Sequence, residues 1–183
     1  MKQLNNFINE KLKINSKSKI NQYQYFPKNT DELKEIIVKL IDERGYDADL
    51  NDIDTSKITD MSMLFKHSEF SGDVSKWNVS NVENMNEMFA YSKLTDENTN
   101  LYNWNVKNVI NMEGMFAQCK TFTGKGIEKW DVSNVENMFC MFYGCDKFNQ
   151  NLEHWNIKKD ADIQLMFGGC TNLNKRPSWY KTY

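Results

Sequence analysis

Tryptophan stands at Trp77, Trp104, Trp130, Trp155 and Trp179, at intervals of about 25 residues. So regular a recurrence of the largest apolar side chain marks an internal repeat, and any fold must accommodate it. In register, the copies read VSKWNVSNVENMNEMF from Val74, LYNWNVKNVINMEGMF from Leu101, IEKWDVSNVENMFCMF from Ile127 and a looser LEHWNIKKDADIQLMF from Leu152. An earlier copy, LNDIDTSKITDMSMLF from Leu50, has Ile53 at the tryptophan position. A unit this short cannot bury its own apolar face, so the copies have to stack on one another.

Two apolar patterns recur inside each copy. The first is an alternation, as in Trp77 and Val79, Trp104 and Val106, Trp130 and Val132, and Trp155 and Ile157. A period of two predicts a short strand with tryptophan and valine facing inward. The second is Met61, Leu64 and Phe65, repeated as Met85, Met88 and Phe89, Met112, Met115 and Phe116, Met138, Met141 and Phe142, and Ile163, Met166 and Phe167. Spacing of i, i+3, i+4 predicts one face of a short helical turn. The preceding Asp60, Asn84, Asn111, Asn137 and Asp162 are residues that accept hydrogen bonds at a helix start.

The run W-[DN]-V-S-N-V-x-N-M-x-x-M-F resembles the BspA-type leucine-rich repeat surface proteins of bacteria. The likeness extends from about Leu50 to Trp179. It implies a right-handed, curved solenoid; joined to the readings from spacing, the expected fold is a leucine-rich-repeat-like right-handed solenoid with a parallel sheet of short strands, short helical turns, about five repeats and a helical N-terminal cap. It also implies binding or adhesion rather than catalysis. Asn81, Asn108 and Asn134 lie closer to the last strand residue than in an ordinary leucine-rich repeat, so the turn must differ. The last copy has Lys158, Lys159 and Asp160 in place of Ser-Asn-Val.

Three regions follow: a flexible leader or irregular cap segment over 1–28, a capping helix over 29–49, and the repeat array with its C-terminal cap over 50–183. Asn29 or Thr30 starts the helix; Leu33, Ile36, Ile37, Leu40 and Ile41 give it one apolar face, and Gly45 stops it. Leu4, Phe7, Ile8 and Leu12 predict another short helix in the leader, and Pro177, Trp179 and Tyr180 close the last coil.

Acids and bases nearly balance, with a formal net charge of -2, so no global field recruits nucleic acid or an anionic membrane. No run approaches the roughly 18 apolar residues of a membrane span, and the start lacks a secretory pattern. The expected location is therefore cytoplasmic or particle-associated, or the cell surface if a signal was removed or another export route is used.

Chemistry-bearing residues read as structural. Cys119, Cys145 and Cys170 share a repeat position held by Ser68 and Ser92 in earlier copies, which points to a small, partly buried side chain. His67 and His154 occupy non-equivalent positions and give no paired metal-ligand spacing. The methionines, regular and always followed by phenylalanine, read as core. Asp54 and Asp131 share a column with Asn78, Asn105 and Asn156, which reads as a ladder of Asx turns. No catalytic, cofactor-binding or metal-binding constellation is expected.

Function is then expected on the surface. The residues that differ most among copies, Tyr102, Lys107, Lys129, His154 and Lys158, are the candidates for contact with a protein partner across the parallel-sheet face. The expectation is a non-enzymatic interaction or adhesion module; the alternative is a structural or accessory component of a larger particle such as a phage virion.

Overall fold

The computed structural model describes residues 22–96 and 99–181. The predicted helix around Leu4 to Leu12 lies outside the described residues. Helix α1 spans Thr30–Arg44. It starts there because the Asn29 side chain accepts from the Glu32 N–H at 2.9 Å, and it ends at Gly45, whose φ of 90° a side chain would oppose. Leu33, Ile37 and Leu40 bury the inner face against the first coil, and the Thr30 hydroxyl donates to the Asp60 carbonyl at 2.7 Å. No helix among the described residues is long and apolar enough to cross a membrane.

The expected leucine-rich-repeat-like solenoid with a parallel sheet is not what the chain forms. Among the described residues the later coils pair through isolated parallel bridges, Asp60 with Asn84, Asn84 with Asn111, Asn111 with Asn137 and Asn137 with Asp162. No extended sheet joins them. The backbone instead runs as stacked coils built almost wholly of turns.

The Met-Met-Phe segments, expected to be helical, carry the rungs between coils. Met85, Glu87, Phe89 and Tyr91 donate their N–H groups to the carbonyls of Asn111, Glu113, Met115 and Ala117 at 2.7 to 2.9 Å. The same pattern joins Met112, Gly114, Phe116 and Gln118 to Asn137, Phe139, Met141 and Tyr143. Between rungs the chain closes on itself, with Met88 N–H reaching the Met85 carbonyl and Ser92 N–H the Phe89 carbonyl. The third residue of each such turn has positive φ, Glu87 at 50° and Tyr91 at 59°, while the second does not, which defines type II turns. Met85 and Met88 are thus neighbours because they are the two ends of a turn.

The Trp-x-Val segments, expected to be strands, are short extended links between turns. Trp104 and Trp130 have extended dihedrals, but the Trp104 N–H closes a turn on Leu101 and Val109 closes another on Val106. Side chains make the contacts between coils here. Each indole Nε1 donates to a carbonyl one coil earlier: Trp77 to Leu50, Trp104 to Val74, Trp130 to Leu101, Trp155 to Ile127 and Trp179 to Leu152, at 2.9 to 3.2 Å. A sheet is unnecessary because a buried indole replaces the backbone donor that a strand would have supplied.

The core runs along the stack. Phe65, Phe89, Phe116, Phe142 and Phe167 lie nearly parallel, with centroids 5.4 to 5.8 Å apart, and all are buried. Offset stacking at this separation is favourable beyond the area it buries.

Candidate functional site

Most of what repeats on the surface is consumed by the fold. Asp54, Asn78, Asn105 and Asp131 accept from the N–H two residues on, in Ser56, Ser80, Lys107 and Ser133, at 3.0 to 3.3 Å. Asp60, Asn84, Asn111, Asn137 and Asp162 do the same before each Met-Met-Phe segment, so both corners are Asx turns. Ser133 donates from hydroxyl and backbone to Asp131 and holds its carboxyl below the usual range. Asp60 is also held low: burial works against its charge, but hydrogen bonds from Ser62 and Asn84 together with Lys34 outweigh it. Asn81, Asn108 and Asn134 donate Nδ2 to the Ser56, Ser80 and Lys107 carbonyls of the preceding coil at 2.7 to 2.8 Å.

The cysteine column is equally structural in its geometry. Cys119, Cys145 and Cys170 donate Sγ to the Phe89, Phe116 and Phe142 carbonyls at 2.9 to 3.0 Å. Burial pushes the Cys119 and Cys170 thiols up to about 11, and Cys145 higher still. All four cysteines are free. No grouping of three His, Cys, Asp or Glu side chains fit to hold a metal is present among the described residues. His67 stacks on Tyr91 with centroids 4.6 Å apart.

The five candidate contact residues are all exposed, but they do not share a sheet face, because the described residues form no sheet. Tyr102 lies in a short 3-10 turn, Leu101–Asn103, started by the Asn100 side chain accepting from its N–H at 3.0 Å. Lys129 lies in the matching turn, Ile127–Lys129. Gly126 precedes that turn with φ of 97°, and a Cβ there would come within 3.0 Å of the Tyr102 Cβ, so glycine permits the two turns to stack.

Lys129 Nζ consequently sits 4.3 Å from the Tyr102 ring centroid and 3.0 Å from its hydroxyl. The hydroxyl contact raises the Lys129 pKa above its ordinary value.

The other three are separate. Lys158 pairs with Glu136, Lys107 acts electrostatically on Asp131, and His154 acts on Glu153. Lys158 and Glu136 also line an open groove of about 550 Å³ with Asn81, Asn108 and Asn134. Tyr102 and Lys129 stand out in the sequence, but their pairing does not, because it is diagonal across copies rather than within one column. Glu136 and the inter-coil bonds of Asn81, Asn108 and Asn134 lie outside the expected contact set, although the recurring Ser-Asn-Val and Lys-Asn-Val carried the signal of that ladder.

The profile of a family described as "Mycoplasma protein of unknown function, DUF285" matches residues 34–124 and, in a second overlapping match, residues 90–182. Two offset matches of one profile are what an internally repetitive chain gives. No curated protein and no solved structure matches the chain.

Proposed function

The chain belongs to the DUF285 family, and on that premise we propose that it is a non-enzymatic protein-interaction module. Its contact surface is centred on the Tyr102–Lys129 pair, with His154 exposed on the following copy. The observation that carries the reading is the Tyr102–Lys129 pair, an aromatic ring and a cation held together in the open at 4.3 Å. Exposed cation–π pairs contribute little to stability, so stability does not account well for this one. A tyrosine already fixed by its neighbour loses little entropy on contact, and tyrosine is among the side chains on which interfaces concentrate their energy. The sequence likeness to BspA-type surface proteins supports binding or adhesion over catalysis.

The test is capture of partners from native lysate by the immobilised chain, repeated with Tyr102, Lys129 and His154 all changed to alanine. Loss of specific capture with an unchanged melting profile supports the reading; undiminished capture by the triple variant contradicts it.

A further inference from the structure

Among the described residues the bridge ladder stops at Asp162. Asp60, Asn84, Asn111 and Asn137 each bridge to the next coil, whereas Asp162 bridges only backwards, to Asn137. At every internal junction the residue after the Asx donates its N–H forward, and so does the residue two further on. Met112 and Gly114 reach Asn137 and Phe139, and Met138 and Cys140 reach Asp162 and Gln164. The corresponding donors of the last coil are the N–H groups of Ile163 and Leu165, which find no acceptor among the described residues. The Ala161 carbonyl, in the position of the Glu136 carbonyl that accepts from Asp162, is likewise without a donor there. These groups line one pocket of about 600 Å³, formed by residues 160–165 with Tyr180 and Lys181. Leu165, 53% exposed, is part of this lining.

We propose that this pocket binds, by parallel strand addition, a peptide segment bearing the Asn-Met-x-x-Met-Phe sequence, supplied by another chain of the same repeat type. Backbone additions of this kind draw affinity from main-chain hydrogen bonds and specificity from side-chain pockets. The chain displays the same junction four times internally, so the complementary surface is known. An asparagine on the incoming rung places its carbonyl on Ile163 and its N–H on Ala161, and the carbonyl two residues on meets Leu165. Its amide would also donate to the Asp162 carboxylate, as Asn84 does to Asp60 at 3.2 Å. Asp160 and Asp162 at the pocket disfavour an aspartate in place of that asparagine. The site is separate from the Tyr102–Lys129 surface and does not rest on it.

The test uses the full chain and a synthetic peptide of the 82–91 sequence, with amide exchange read residue by residue. Saturating peptide is expected to slow exchange at Ile163 and Leu165 by at least about tenfold, as a hydrogen-bonded rung requires. Replacing the peptide's asparagine by aspartate, or changing Leu165→Asp in the protein, is expected to weaken binding by about tenfold or more. Aspartate tolerates the φ of 55° at that position, so the variant keeps the fold, which an unchanged melting profile verifies. Unprotected amides at saturation, or equal binding by a scrambled peptide, would overturn the proposal. The Tyr102, Lys129 and His154 triple variant is expected to bind the peptide normally, which separates the two sites.

Discussion

The two sides of each coil carry the same period and the same depth of burial, yet different groups tie them to their neighbours. On the Met-Met-Phe side, backbone N–H groups meet backbone carbonyls, as between Phe89 and Met115 at 2.9 Å. On the tryptophan side, an indole meets a backbone carbonyl, as between Trp104 and Val74 at 3.2 Å. Apolar spacing records which residues are inside; it does not record which polar groups carry the rungs. A substitution on the first side therefore disturbs packing and leaves the rungs standing, while truncating a tryptophan on the second removes both together.

The largest expected effect is at the aromatic stack. Phe116 lies between Phe89 and Phe142 at 5.8 and 5.7 Å, and Phe116→Ala should lower unfolding free energy by about 3 to 5 kcal/mol in urea melts. Retention of wild-type stability would mean that the stack is not the core. The indole rung should cost less but be separable from packing. Trp104→Phe keeps an aromatic ring and leaves the Val74 carbonyl without its donor, a loss of about 1 to 3 kcal/mol. Asn108→Ala removes an exposed rung to the Ser80 carbonyl and should cost about 1 kcal/mol or less, because water replaces the donor. Equal costs for the two would remove the distinction between buried and exposed side-chain rungs.

Smallest is the dependence on acid. Asp60 and Asp131 have folded pKa values below their unfolded ones, so their contribution is fully present above the unfolded value of about 3.9 and is lost as pH falls through the folded values. Melting temperature should therefore decline below about pH 4, and Asp131→Asn should flatten part of that decline. An unchanged slope in the variant would show that the Asx corner at Asp131 is not linked to folding.

Much of this was legible in the sequence, and the failures have physical causes. The position and burial of the tryptophans, methionines and phenylalanines follow from their recurrence, and Asn29 with Gly45 marks the bounds of α1. The Asx ladder was readable because aspartate alternates with asparagine there, and both accept from a backbone N–H two residues on. What spacing could not separate is a helix from a chain of type II turns, since both bring i and i+3 together. A signal was present in Gly114, which has positive φ and lies inside a segment expected to be helical, where glycine is unfavourable. The strand expectation failed for another reason. Alternation reports inward and outward side chains, and an extended link two or three residues long satisfies it without any ladder. At the candidate site, Tyr102 and Lys129 stood out by differing among copies, but their pairing depends on the stacking of two turns over Gly126 and is invisible in one dimension.

The most direct test of a turn-built coil is to compare Gln118→Gly with Gln118→Val in urea unfolding. Gln118 has φ of 62°, a conformation that glycine adopts freely and a β-branched residue resists. The valine variant should be less stable than the glycine variant by about 1 to 2 kcal/mol. The reverse order, valine above glycine, is what a β-strand at this position would give and would contradict the account.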